Sequence, residues 1–220
     1  MKKLIIIFLL IIISDLSYSQ VINFENIPVD KKNIIQTSFG LNMAVIGDIE
    51  YSRVLKFKEK TFLISANITL PMGKDFFDDR RFAINISANS FKHKNWELPI
   101  HFGVFSTFTS NKMSVISTIG TKIAINPGFY KKSWFIASEI TYDKFILSYI
   151  KNSDYYKETY FLQAKDAWYK NSGGNFHFGI MGGKTIKNSE LNLRIGIITT
   201  ENFNSILVPY YALIGYKFTM

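Results

Sequence analysis

The chain of 220 residues has no cysteine. Disulfides and thiolate metal sites are therefore excluded. So is a lipid-modified cysteine behind a signal peptide, which removes lipoproteins. Five prolines and 13 glycines are too few for a collagen-like or linker-rich chain. There are only three histidines, His93, His101 and His177, and their spacing does not suit a metal site. No Gly-x-Ser-x-Gly and no His-Glu-x-x-His occurs. Beyond the amino terminus, no apolar run approaches the roughly 20 residues of a membrane helix. The sequence thus offers no catalytic set, no metal site and no cofactor, and any membrane span must be built from strands.

Among the residues present, aromatics are prominent, with 20 Phe, 12 Tyr and 3 Trp. They favour strands, and Tyr and Trp also favour membrane interfaces. The formal charge is +9. The basic residues are dispersed and the chain carries an export signal, which argues against nucleic acid as a partner. Solvated turns account for the charge, and contact with anionic lipopolysaccharide is the functional alternative.

Lys2 and Lys3 precede an apolar run from Leu4 to Ile13, and Ser17-Tyr18-Ser19 supplies small residues before Gln20. This is a secretory signal peptide over residues 1–19. Residues 20–33 read as a periplasmic lead-in, and residues 34–220 as one β-barrel domain. Short helical turns are expected near Asp30 and over Ser153–Tyr160.

The domain alternates. In Thr61–Leu70, Phe62, Ile64, Ala66, Ile68 and Leu70 share one face, and Thr61, Ser65, Asn67 and Thr69 share the other. Leu63 is an apolar intruder on the polar face. Similar rows follow: Phe82, Ile84 and Ile86; Trp96 to Val104; Val115 to Ile125; Trp134, Ile136 and Ile140; Phe145, Leu147 and Tyr149; Phe176 to Ile180; Leu191 to Ile197; Val208 to Phe218. Gly47-Asp48 reads as an interruption, Pro71–Arg81 as a loop and Asn126-Pro127-Gly128 as a turn. Lys151–Gly174 is the longest break in the pattern.

The polar face is small and neutral, the apolar face is bulky over eight to ten residues, and aromatics recur near strand ends. These features favour a membrane barrel over a soluble one. The expected fold is all-β, an up-and-down antiparallel transmembrane barrel of about ten strands, with eight to twelve open. Its inward polar network comprises Glu50, Glu97, His101, Lys122, Glu139, His177, Glu190, Arg194 and Lys217. The aromatic loop residues Tyr155, Tyr156, Tyr160, Trp168 and Tyr169 are candidates for surface recognition.

The last strand ends Tyr216-Lys217-Phe218-Thr219-Met220, and Ile49-Glu50-Tyr51-Ser52-Arg53 precedes a charged turn. With the signal peptide and the alternation, these resemble small Gram-negative outer-membrane β-barrel proteins of the Bacteroidetes type. The resemblance implies residence in the outer membrane, contact with its lipid and lipopolysaccharide, and insertion machinery that reads the terminal strand. It implies no activity. The expected role is structural or surface recognition by a monomer with a narrow or closed lumen. A lipid-modifying enzyme and a soluble lipocalin-like binder of an apolar ligand are the rivals.

Overall fold

In the computed structural model, the residues described are 23–27, 31–57, 60–72, 79–170 and 173–220. The expected signal peptide and the turn expected near Asp30 lie outside them. The strands are β1 (Asn33–Asn42), β2 (Ala44–Phe57), β3 (Lys60–Pro71), β4 (Asp79–His93), β5 (Trp96–Ser110) and β6 (Ser114–Ile125). They continue with β7 (Gly128–Tyr130), β8 (Trp134–Asn152), β9 (Ala167–Lys170), β10 (Gly174–Ile186), β11 (Ser189–Thr200) and β12 (Ser205–Thr219). One helix, α1 (Asp154–Thr159), is capped by Ser153, whose side chain accepts from the Tyr156 N–H.

Consecutive long strands pair antiparallel, and β1 pairs with β12 from Ile34–Thr219 to Asn42–Tyr211. The sheet thereby closes on itself, so no edge is left to pair with another chain. Ten staves result. Two of them are interrupted. β7 continues the line of β6 between β5 and β8, and β9 continues the line of β10 along β8. Both termini of the barrel lie at one end, here the terminal end, where four hairpin turns of two or three residues join the strands. The other end is the distal end.

Several local expectations need correction. Asn126-Pro127-Gly128 is not a turn. Pro127 has no N–H for the ladder, so the stave breaks there, but the chain runs straight on and reverses only between Tyr130 and Trp134. Gly47 and Asp48 sit inside β2, and the reversal comes earlier, at Met43, whose φ is 62°. Trp134–Asn152 is one strand of 19 residues. An irregularity there places Gly120 opposite Phe145 while Ile119 faces Leu147, which leaves Ile146 as an extra residue. Such a bulge flips side-chain parity. Phe145 therefore points inward, against the Phe105 ring at 5.6 Å, and does not join Leu147 and Tyr149 on the outer row.

The bulky rows point outward. Ile84 is 63% exposed and Ile136 53%. Aromatics border this surface at both ends. At the terminal end Phe129 packs between Trp96 and Trp134. At the distal end Tyr142 stacks on Phe176 at 4.5 Å, and Tyr149 packs on Trp168 at 5.2 Å.

The inward face is polar with apolar plugs. Leu63 is fully buried with Ile34 and Val54, and Phe24 and Ile27 from the segment before β1 pack against them. Asn23 donates to the Lys131 carbonyl at 2.7 Å, and Glu25 pairs with Lys92. Tyr130, Phe135, Ala137 and Met181 form a second plug. Both plugs occupy the terminal half.

Candidate functional site: the distal vestibule

All nine residues expected in the inward network point inward, but they do not form one cluster. At the terminal end, Lys217 Nζ lies 2.8 Å from Glu190, which also accepts from Thr185. Glu97 accepts from Asn89 at 2.7 Å. Near the middle, Glu50 accepts from Ser52. His101 Nδ1 lies 2.7 Å from Ser87 Oγ.

Lys122, Glu139, His177 and Arg194 are different. They line a cavity of about 530 Å³ in the distal half, bounded at its rim by Asn42, Pro71, Asp79 and Thr109. The cavity has three partners that the sequence reading missed. Arg81 donates to Asp143 at 2.7 Å and lies 3.7 Å over the Phe105 ring. Asp48 accepts from Asn67 at 2.5 Å and from Thr69 at 2.7 Å. Arg194 grips Glu139 through two nitrogens, a bidentate pairing that a guanidinium makes and an ammonium does not.

Tyr211 completes that pairing by donating to Glu139 Oε2 at 2.9 Å. Its ring crosses Gly196 and Gly179, which lie on one register line between it and Glu139. A Cβ on Gly179 would sit 2.1 Å from the Tyr211 hydroxyl, and one on Gly196 2.6 Å from the ring.

The signal for the missed residues was partly present. Asp143 follows Glu139 and Thr141 at the same parity. Arg81 lies in β4, which begins before the expected loop would end, and Asp48 lies within β2, where an interruption is expected from Gly47-Asp48.

Charge in this cavity is largely matched. Asp48, Glu139 and Asp143 face Arg81, Lys122 and Arg194. Buried charges need such partners, because an unpaired one costs several kcal/mol. Two buried polar atoms lining the cavity, Asp143 Oδ1 and Thr141 Oγ1, have no hydrogen-bond partner among the described residues.

The His101–Ser87 contact has the geometry by which a base activates a hydroxyl. Both side chains are buried, and neither lines the cavity. No group of three or more His, Asp or Glu among the described residues is placed to hold a metal ion.

The aromatic candidates divide. Tyr155, Tyr156 and Tyr160 belong to α1 and its C-cap above the distal mouth, and Tyr155 and Tyr160 are exposed. Trp168 and Tyr169 lie in β9, so they belong to the barrel wall. Asp166 anchors the loop. It accepts from the Asn152 N–H and pairs with Lys157, and these contacts hold its carboxyl below the usual range. On the outer side of the same wall, Glu201 accepts from Lys144 at 2.6 Å and from Tyr142 at 2.9 Å, which lowers its pKa likewise.

No family model and no curated protein matches this chain. Among solved structures it is similar to the KdgM porin, at 9% identity and a TM-score of 0.40, over 85% of this chain and 99% of that one. The KdgM porin in complex with disordered oligogalacturonate gives the same values. At that level the barrel assignment rests on the strand pairing described above.

Proposed function

We propose that this chain is an outer-membrane barrel that does not conduct and that presents a recognition surface at its distal end. One observation carries the reading: the bulky apolar rows face outward between two aromatic borders, while the inner face is polar and paired. That distribution suits a wall in lipid around a hydrated interior. A soluble lipocalin-like binder would need the apolar rows inside.

Barrels of this kind carry short turns on the periplasmic side and longer loops outside. The terminal end is then periplasmic, and the vestibule with α1 faces the exterior. The two plugs of the terminal half support a lumen without a through path. The buried position of His101 and Ser87 favours a structural role for them over lipid modification.

Cell fractionation followed by gel electrophoresis with and without boiling tests the location. Outer-membrane recovery with a heat-dependent mobility shift is expected, and a soluble periplasmic species would overturn the reading. Planar-bilayer recording tests conduction. No steady channel current is expected from the purified barrel, and a stable open level would refute the closed lumen.

A further inference from the structure

The positive charge of this chain is gathered at one end. Four hairpin turns close the terminal end, and each carries two lysines in it or beside it. Lys56 and Lys60 flank the β2–β3 turn, and Lys92 and Lys94 the β4–β5 turn. Lys131 and Lys132 lie in the β7–β8 turn, and Lys184 and Lys187 at the β10–β11 turn. All eight are exposed. By sequence these turns hold one acid, Glu59. Of the inner acids at this end, Glu190 pairs with Lys217, and Glu97 accepts from Asn89 and lies 3.8 Å from Lys92, which also pairs with Glu25.

The distal end lacks this bias. Its bases are interspersed with Asp79, Asp154, Glu158, Asp166 and Glu201, and two of these acids are tied to lysines.

The lysines also sit against the aromatic border. The Lys131 ammonium lies 5.4 Å from the Phe129 ring centre and 5.5 Å from that of Trp134, and Trp96 packs on Phe129. Cations just outside an aromatic belt are at the depth of lipid phosphates. A solvated turn needs no such placement, and an acidic polymer in the aqueous phase would not need the aromatics.

We propose that this lysine collar is a binding surface for the phosphate headgroups of anionic phospholipids in the leaflet on the terminal side. The proposal rests on the membrane-barrel reading above. It moves the electrostatic partner away from lipopolysaccharide, which the charge alone first suggested, to the opposite leaflet. Each lysine near an anionic surface contributes about 1 kcal/mol, so one effective contact enriches an anionic lipid about fivefold.

The tryptophans report on the two ends. Trp96 and Trp134 border the collar, and Trp168 lies on the distal wall. The full barrel is reconstituted in phosphatidylcholine vesicles doped with either brominated phosphatidylglycerol or brominated phosphatidylcholine at equal low fraction. Bromine quenches only neighbouring tryptophans. A Trp168→Phe variant isolates the terminal pair, and a Trp96→Phe/Trp134→Phe variant isolates the distal one.

The expected result is severalfold stronger quenching of the terminal pair by the brominated glycerol lipid. That excess should fall at high salt and be lost in Lys94→Gln/Lys131→Gln/Lys184→Gln/Lys187→Gln. Equal quenching by the two lipids at the terminal pair would overturn the collar while leaving the barrel intact. Failure of brominated phosphatidylcholine to quench any tryptophan would overturn the membrane reading itself, and the collar with it.

Discussion

Tyr211 and Glu139 meet across two intervening strands, hydroxyl to carboxylate at 2.9 Å, over a bare strip made by Gly196 and Gly179. Four residues on one register line thus fasten β12 to β8 from the inside. A hydrogen bond to a charged group contributes roughly 1.5–3 kcal/mol, so Tyr211→Phe is expected to lower unfolding stability in detergent by about that amount. Gly179→Val should cost as much or more, because its side chain meets the phenol. The double variant should be less than additive in urea titration, since both changes remove one interaction. Full additivity would mean that the ring does not depend on the strip.

Arg194 holds the same carboxylate from another position on β11, and its role is to neutralise Glu139. Arg194→Met leaves a buried carboxylate without its cation, which costs roughly 3–5 kcal/mol. Arg194→Met/Glu139→Leu should recover most of the loss. Thermal unfolding of the two variants side by side distinguishes this pairing from a steric role for the arginine.

Leu63 is the apolar residue on the otherwise polar inner face of β3, and it is fully buried, with Phe24 and Ile27 packed against its cluster. Leu63→Ala should destabilise by roughly 2–5 kcal/mol, the range for buried leucine truncations. Deleting residues 23–27 should loosen the same plug from the other side. Current in planar bilayers is the measurement, and the deletion is expected to leak more than Leu63→Ala.

Glu201 has a carboxyl pKa held below its ordinary 4.5 by Lys144 and then Tyr142. A depressed folded-state value means that the contact stabilises above the ordinary value and is lost as pH falls through the lower folded value. Protection factors of the amides in the β11–β12 connection, taken relative to intrinsic exchange at each pH, should therefore hold at neutral pH and fall only once pH drops below the ordinary carboxylate range. Glu201→Gln should exchange faster at neutral pH and lose that acid-triggered step.

Much of the wall was legible because period-two alternation is a direct record of which face meets which solvent. Leu63 stood out on the inner face for a reason the fold supplies: it meets the segment that precedes β1. The failures share a cause. Asn126-Pro127 carries a turn signal, yet neighbouring strands on both sides hold the chain straight. Phe145 reads onto the outer face because one extra residue at Ile146 resets parity, and a bulge leaves no mark in hydrophobicity. Arg81 and Asp143 could not be paired from sequence, since they are 62 residues apart and meet only across the lumen.

The 19 residues of β8 rise far higher than the 10 of β1. At about 3.3 Å per residue and a tilt near 40°, those lengths correspond to heights of roughly 48 Å and 25 Å. An apolar band is about 25 Å tall. In the membrane placement proposed above, β1 therefore ends near the lipid surface, where Met43 turns the chain back, while β8 carries its sheet and α1 well above it. The mouth is cut at a slant, with a parapet on one side and a sill on the other. On that placement, the described rim of the vestibule is lowest at the Asn42–Ala44 connection and is backed by the β8 wall with its aromatic side chains.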